Sequence, residues 1–148
     1  MELIENLRNL ARKNQKAIVL PEGTEPRVIA AAAKMLADKI AEPILLGKEN
    51  DIREKAASEG IDLEEVTIID PSRHARLTEF TEKYYELRKH KGITIDEAGN
   101  TIQDPLYFAA MMLRENMAAG AVAGSINTTG DVLRAAIQIV GLQPDIDV

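Results

Sequence analysis

Residues 17–47 read AIVLPEGTEPRVIAAAAKMLADKIAEPILLG, and their pattern sets the architecture expected for the whole chain. The stretch opens with four apolar residues that stop at a proline, as a short buried strand does. Residues 28–38 are rich in alanine and predict a helix, with Thr24 as its N-cap and Pro26 in its first turn. Residues 43–47 form a second apolar run that ends in glycine. The stretch therefore predicts a strand, a crossover helix and a second strand.

The same alternation continues along the rest of the chain. Apolar runs at residues 66–70 and 119–124 predict two further strands. Thr94 with Glu97 matches a capping box, and Asp104 stands before a proline that opens another helix. Helices are predicted at residues 3–11, at 48–59, from a cap at Ser72 toward His90, over most of 94–117 and at 128–140.

Short apolar strands separated by helices predict one fold class. Parallel strands need crossover connections, and strands without polar alternation suit a parallel sheet that is covered on both faces. We therefore predict an α/β fold, a three-layer α/β/α arrangement with a mainly parallel sheet. A chain of 148 residues supports one hydrophobic core, so residues 1–148 are expected to form a single domain.

The composition argues against several classes of function. The chain has no cysteine, which excludes disulfides, thiolate metal sites and a thiol nucleophile and suits the cytoplasm. The net charge of −6 and the 3% aromatic content argue against nucleic-acid binding. Apolar runs fall far short of the roughly 20 residues that span a bilayer, so no membrane association is expected.

Two loops after strands are candidate anion sites, because ligands of parallel sheets gather where the strands end. In the first, residues 20–25, Gly23 permits close approach but Glu22 and Glu25 would repel an anion. It is therefore a weak phosphate cradle, and a plain strand-to-helix turn is its structural interpretation.

The second loop, residues 124–130, is richer in hydrogen-bond donors. Ser125, Thr128 and Thr129 offer hydroxyls beside a helix N-terminus, and Arg134 lies about one turn further on, able to fold back. Residues 120–140 therefore predict an anion-binding strand, turn and helix. The alternative is that Thr128 or Asn127 only caps the helix and that Arg134 is a surface charge.

The other basic concentration is at residues 88–91, four basic residues before Gly92. Cations in the last helical turn stabilise the helix dipole and glycine suits the position after the helix, so a solvated cap explains the run. A positive rim for a polyanionic ligand is the alternative. His74 and His90 match no metal-ligand spacing, and no metal site is predicted.

Four segments together carry a resemblance to a known family. They are VLPEGTEPRV at residues 19–28, ELRKHKG at 86–92, DPLYF at 104–108 and NTTGDVLR at 127–134. In this order and spacing they resemble the N-terminal part of phosphate acetyltransferases, or phosphotransacetylases. The resemblance implies that residues 1–148 are the first domain of a two-domain acetyltransferase, without the second domain and the C-terminal segment.

By that resemblance the reaction is reversible acetyl transfer between acetyl-CoA and inorganic phosphate, giving acetyl phosphate and CoA. No tightly bound cofactor and no metal are implied, since CoA is a substrate. Arg88 and Arg134 match the family's two N-terminal active-site arginines, and Ser125, Thr128 and Thr129 match the turn that faces its cleft. The family's catalytic residues lie in the missing part, so none is assigned here, and the 148-residue chain is expected to be inactive alone.

The sequence is compatible with two other functions. Similar domains occur as acetyl-CoA-responsive regulatory modules fused to malic enzymes, although a chain that opens with its own helix favours a free-standing transferase. A phosphate butyryltransferase would share the same N-terminal pattern. A homo-oligomer of the full-length protein is also left open.

Overall fold

The computed structural model describes residues 2–146, in which strands and helices alternate as the sequence predicts. The strands are β1 Ala17–Leu20, β2 Glu42–Leu46, β3 Thr67–Ile69 and β4 Gly120–Ala121. The α-helices are α1 Glu2–Lys13, α2 Pro26–Ala37, α3 Glu49–Ser58, α4 Leu77–Arg88, α5 Ile95–Ile102, α6 Pro105–Arg114 and α7 Thr129–Ile139. Short 3₁₀ turns occupy Pro71–Arg73 and Lys89–Lys91.

All four strands pair in parallel, in the order β3-β2-β1-β4. Val19 of β1 lies opposite Ile44 on one side and Ala121 on the other. Because β1 and β4 are neighbours, the loops that follow them meet at the same edge of the sheet. The predicted parallel sheet is confirmed, and its strand order decides which loops form the site.

Helices cover both faces of the sheet. Val19 and Leu46 point toward α4, α5, α6 and α7, whereas the adjacent residues Leu20 and Leu45 point toward α2 and α3. This alternation follows from the two-residue period of a strand. The three-layer α/β/α arrangement is therefore confirmed, with one apolar core on each side of the sheet.

Two predicted helix caps are confirmed. Thr94 and Glu97 exchange both capping-box hydrogen bonds at the start of α5. The Asp104 carboxylate accepts the N–H of Leu106 at 2.8 Å at the start of α6. Both caps satisfy N–H groups that the first helical turn would otherwise leave unpaired.

Two other predicted caps are wrong, because proline sets where the helix begins. α2 starts at Pro26, so the cap position falls on Glu25 rather than Thr24. Ser72 does not cap α4 either. It lies in a 3₁₀ turn whose cap is Asp70, and the backbone becomes extended again before α4 begins.

The N-terminal helix differs from the others in packing. α1 forms where the sequence predicts it, but none of its described residues is buried, and Leu3, Leu7 and Leu10 are exposed. Its Arg12 Nε donates to the Asp38 carbonyl at 3.0 Å. Among residues 2–146 no helix is both long and apolar enough to cross a bilayer.

Candidate functional site

The loops after β1 and β4 come together around one carboxylate. Glu22 lies two residues beyond β1, and its side chain reaches the loop that starts three residues beyond β4. Only 4% of Glu22 is exposed, which is unusual for a glutamate. A charged group at this depth needs partners, since desolvation alone would make its ionised form unfavourable.

Four consecutive backbone N–H groups supply those partners. Gly124 donates to both carboxylate oxygens of Glu22 at 3.2 Å, and Ser125 donates to Oε2 at 2.8 Å. Ile126 and Asn127 donate to Oε1 at 2.9 and 2.8 Å. The Asn127 side-chain amide adds a further bond to Oε1 at 3.0 Å. Successive N–H groups that converge in this way form a concave anion-binding nest.

These bonds decide the ionisation of Glu22. Burial raises its pKa, but the N–H groups of Asn127, Ile126 and Ser125 and the Asn127 amide outweigh burial and lower the pKa to about 2. The residue is therefore a carboxylate throughout the neutral range, and it occupies the backbone donors of the loop.

The structure gives Glu22 a role that the sequence does not predict. Its carboxylate is the anion that the neighbouring loop holds. The signal was present, as an acid two residues after one strand and a glycine-led run of donors after another. What the sequence lacks is the strand order that places the two loops side by side.

The start of α7 matches the alternative in which Thr128 caps the helix and Arg134 is a surface charge, and anion binding there stays a prediction. The Thr128 Oγ1 accepts the Asp131 N–H at 3.2 Å and donates to its carboxylate at 2.7 Å, so Thr128 does cap the helix. Arg134 pairs with Asp131 at 3.0 Å and stays 60% exposed. The Thr128 hydroxyl and Arg134 together lower the pKa of Asp131, although partial burial opposes them.

The other two hydroxyls of this loop are uncommitted. Within residues 2–146 neither the Ser125 nor the Thr129 hydroxyl makes a hydrogen bond to the protein. The Ser125 carbonyl, by contrast, accepts a bond from Arg27 Nη2 at 3.1 Å. The loop backbone is therefore held by protein contacts, while two of its side chains can donate to a ligand.

Arg88 and Arg134 come from distant parts of the sequence, and both affect the pKa of the same tyrosine. Burial raises the pKa of Tyr107, and the positive charges of Arg134 and Arg88 both counteract this effect. Both arginines therefore affect the ionisation of the same phenol. The Tyr84 hydroxyl donates to Gln138 at 2.8 Å and ties the helix of Arg88 to the helix of Arg134.

The residues of the basic run at 88–91 differ in their contacts. Lys89 pairs with Glu86, and Gly92 adopts a left-handed conformation with φ of 83°, as a residue after a helix often does. Arg88 is half-buried and forms no ion pair within residues 2–146. The capping interpretation therefore holds for Gly92, while Arg88 is available to a ligand.

Two depressions border the carboxyl edge of the sheet. A cavity of about 250 Å³ lies beside the loops after β1 and β4 and is lined by Pro21, Glu22, Gly23, Thr24, Leu46, Gly47, Asp104, Pro105, Leu106, Ile126 and Asn127. A wider one of about 630 Å³ lies beyond β2 and β3 and includes Lys48, Asp70 and His74. None of the five predicted site residues lines either cavity.

The histidine near the wider cavity has a structural role. The His74 ring packs on Phe80 and Phe108 at centroid distances of 5.9 and 5.2 Å, and its Nδ1 accepts the N–H of Arg76. Burial, together with the positive charge of Arg76, lowers the pKa of His74. Among residues 2–146 no three histidine, aspartate or glutamate side chains are grouped closely enough to hold a metal ion.

Comparison with known proteins gives consistent matches along the chain. The family model described as phosphate acetyl/butaryl transferase matches residues 2–148. The phosphate acetyltransferase of Clostridium acetobutylicum is 40% identical over 148 residues, and that of Thermoanaerobacterium thermosaccharolyticum is 44% identical over 144 residues. These matches cover 100% and 97% of this chain but only 44% and 43% of the two relatives.

A solved structure supports the same relationship. A phosphotransacetylase from Streptococcus pyogenes superimposes with a TM-score of 0.91 at 33% sequence identity. The match covers 99% of this chain and 44% of that one. The chain thus spans less than half the length of the proteins it matches. With the family model matching all but its first residue, the chain belongs to the phosphate acetyl/butaryl transferase family.

Proposed function

We propose that residues 1–148 form the N-terminal domain of a two-domain phosphate acetyltransferase. The whole protein would transfer an acetyl group reversibly between acetyl-CoA and inorganic phosphate, giving acetyl phosphate and CoA. The relatives named phosphate acetyltransferase support the acetyl group as substrate. Their length supports a second domain, since this chain spans 44% or less of both proteins.

One structural observation supports this proposal most strongly. Arg88 and Arg134 lie on helices joined by the Tyr84–Gln138 hydrogen bond, both counteract the burial that raises the pKa of Tyr107, and Arg134 follows a loop with uncommitted hydroxyls on Ser125 and Thr129. In an otherwise acidic chain, two guanidinium groups on neighbouring helices suit a phosphoryl group or the phosphates of CoA. Thr128 contributes through the cap that fixes the loop against α7.

The proposed chemistry is direct acyl transfer. The CoA thiolate attacks the acetyl carbonyl of acetyl phosphate, the carbon–sulfur bond forms, and the bond to the phosphate oxygen breaks with release of phosphate. The two arginines would bind the departing negative charge, and the hydroxyls would donate to phosphate or carbonyl oxygens. The groups that act on the thiol belong to the second domain, so this chain is one wall of the cleft.

CoA, acetyl phosphate and phosphate are the proposed partners, without a tightly bound cofactor, and the cytoplasm is the proposed location. Butyryl transfer is the second candidate, because the matching family description includes both acyl groups. An acyl chain of either length would meet a pocket wall from the second domain, so the activity of the whole protein decides between them.

The test is acyl-CoA formation from CoA and an acyl phosphate. The whole protein is expected to form acetyl-CoA from acetyl phosphate faster than butyryl-CoA from butyryl phosphate. Residues 1–148 alone are expected to form neither. A whole protein that binds acetyl-CoA but forms no thioester would overturn the proposal in favour of a regulatory domain. Turnover by residues 1–148 would show that the catalytic groups lie in this chain and not in the second domain.

A further inference from the structure

The Glu22 carboxylate fills a position that a bound anion often takes in other proteins. Consecutive N–H groups at the end of a strand commonly receive phosphate or carboxylate ligands. Here the N–H groups of residues 124–127 receive a side chain from the same chain, that of Glu22, a residue that is only 4% exposed. A ligand therefore reaches the side chains of this loop but not its first four backbone donors.

The loop is held from several directions. Glu22 binds its N–H groups, Arg27 binds the Ser125 carbonyl, and Thr128 anchors its end to α7. Glu22 is itself fixed, because Gly23 packs so closely on β2 that an added Cβ would lie 2.3 Å from the Leu46 oxygen. The uncommitted hydroxyls of the loop thus project from a backbone that β1 and β2 hold in place.

We propose that Glu22 is a positioning residue for the ligand-binding loop: an internal anion that holds residues 124–127 so that Ser125, Thr129 and Arg134 face the acyl phosphate and CoA. This inference rests on the proposed function for the identity of the ligand. The positioning itself rests only on the contacts of Glu22. Glu22 does not touch the reacting atoms, because its two oxygens are already bound by the loop.

Two substitutions separate the charge of Glu22 from its volume. Glu22→Gln keeps the volume but turns an NH₂ group toward N–H donors, so it loses acceptors and introduces repulsion. Glu22→Ala removes the carboxylate and leaves a space lined by donors, into which formate fits as a free carboxylate. If Glu22 acts as an internal anion, formate can replace it in Glu22→Ala. Formate cannot do so in Glu22→Gln, because the glutamine side chain fills the space.

The first readout is thermal unfolding of the whole protein with sodium formate, with sodium chloride at equal ionic strength as the control. Formate is expected to raise the unfolding midpoint of Glu22→Ala more than that of the wild type or of Glu22→Gln. Equal formate effects on all three proteins would overturn the internal-anion role. Glu54→Gln, an exposed carboxylate on α3, serves as the matched surface control.

The second readout is acetyl-CoA formation. Glu22→Ala and Glu22→Gln are each expected to lower kcat/KM for acetyl phosphate by about tenfold or more, the size that loss of one charged contact produces. Formate is expected to restore part of the rate in the alanine variant only. Full activity in both variants would overturn the positioning role. A wild type without activity would count against the proposed function alone, and the thermal comparison would still test Glu22.

If neither variant can be purified, amide resonances of the wild type provide the test. The N–H protons of residues 124–127 are expected to shift together as pH falls and Glu22 takes up a proton. Independent behaviour of these four amides would contradict a shared carboxylate acceptor.

Discussion

The Glu22 carboxylate accepts the backbone N–H of Asn127 at 2.8 Å and its side-chain amide at 3.0 Å. These two bonds join the loop after β1 to the loop after β4, which are separated by most of the sequence. They give the candidate site its shape, and they have consequences for stability that can be measured apart from any activity.

The first prediction concerns acid. The pKa of Glu22 is about 2 in the folded protein, below its ordinary value of 4.5, so the folded state binds this proton less readily than the unfolded chain. Glu22 therefore contributes stability above pH 4.5, and that contribution is lost as the pH falls toward 2. Its size at neutral pH is about 3 kcal/mol by proton linkage.

Urea denaturation of the wild type and Glu22→Gln over this pH range measures the contribution. The gap between their unfolding free energies is expected to be widest at neutral pH and to close in acid. Other acids near the site, Glu25 and Asp131, also have lowered pKa values, and the difference between the two proteins cancels their effects. A gap that stays constant with pH would show that Glu22 titrates normally in the folded protein.

A second prediction concerns the glycine beside Glu22. A Cβ on Gly23 would lie 2.3 Å from the Leu46 carbonyl oxygen and 2.9 Å from the Ile52 side chain. Because Leu46 belongs to the paired strand β2, its backbone cannot move to relieve this clash. Gly23→Ala is therefore expected to destabilise the fold by about 2 kcal/mol or more.

Gly99→Ala is the matched control for Gly23→Ala. Gly99 lies within α5, and its added Cβ would contact the Thr81 side chain at an ordinary 3.5 Å. Alanine is a better helix former, so this change is expected to stabilise the protein by about 0.5–1 kcal/mol. Chemical denaturation compares the two variants, and equal effects on unfolding free energy would contradict the close packing of Gly23.

A third prediction tests whether the two arginines meet at Tyr107. Removing a nearby cation makes the phenolate less favourable, so Arg134→Ala and Arg88→Ala are each expected to raise the Tyr107 pKa further. Arg53→Ala on α3, across the sheet, should leave it unchanged.

The Tyr107 pKa can be followed by the NMR shift of its phenolic carbon during a pH titration. Tyr107→Phe identifies the signal, since the chain has three tyrosines. If only one arginine changes this pKa, the other lies away from the proposed cleft.

Much of the fold follows from local sequence patterns, and the core of the site does not. The strand at residues 17–20 and the caps at Thr94 and Asp104 depend on neighbours in sequence, so short patterns predict them. The bonding of Glu22 to Asn127 depends on β1 and β4 being adjacent in the sheet. Adjacency arises from packing of the whole sheet, and a single sequence contains no direct sign of it.

The same distinction explains the wrong caps. Thr24 and Ser72 have suitable side chains, but Pro26 and Pro71 move the helix start or divert the chain into a 3₁₀ turn. A capping side chain is effective only where the backbone begins a helix, and proline decides that point here.

The central claim is that Arg88 and Arg134 bind the anionic substrate in a cleft that performs acetyl transfer. The most direct measurement is kcat/KM for acetyl phosphate and for CoA in the whole protein, comparing Arg88→Ala and Arg134→Ala with Arg53→Ala. We predict that each of the first two lowers at least one of these values by about a hundredfold, as loss of a charged contact in the transition state does, and that Arg53→Ala changes neither. Equal values for wild type, Arg88→Ala and Arg134→Ala would contradict the account.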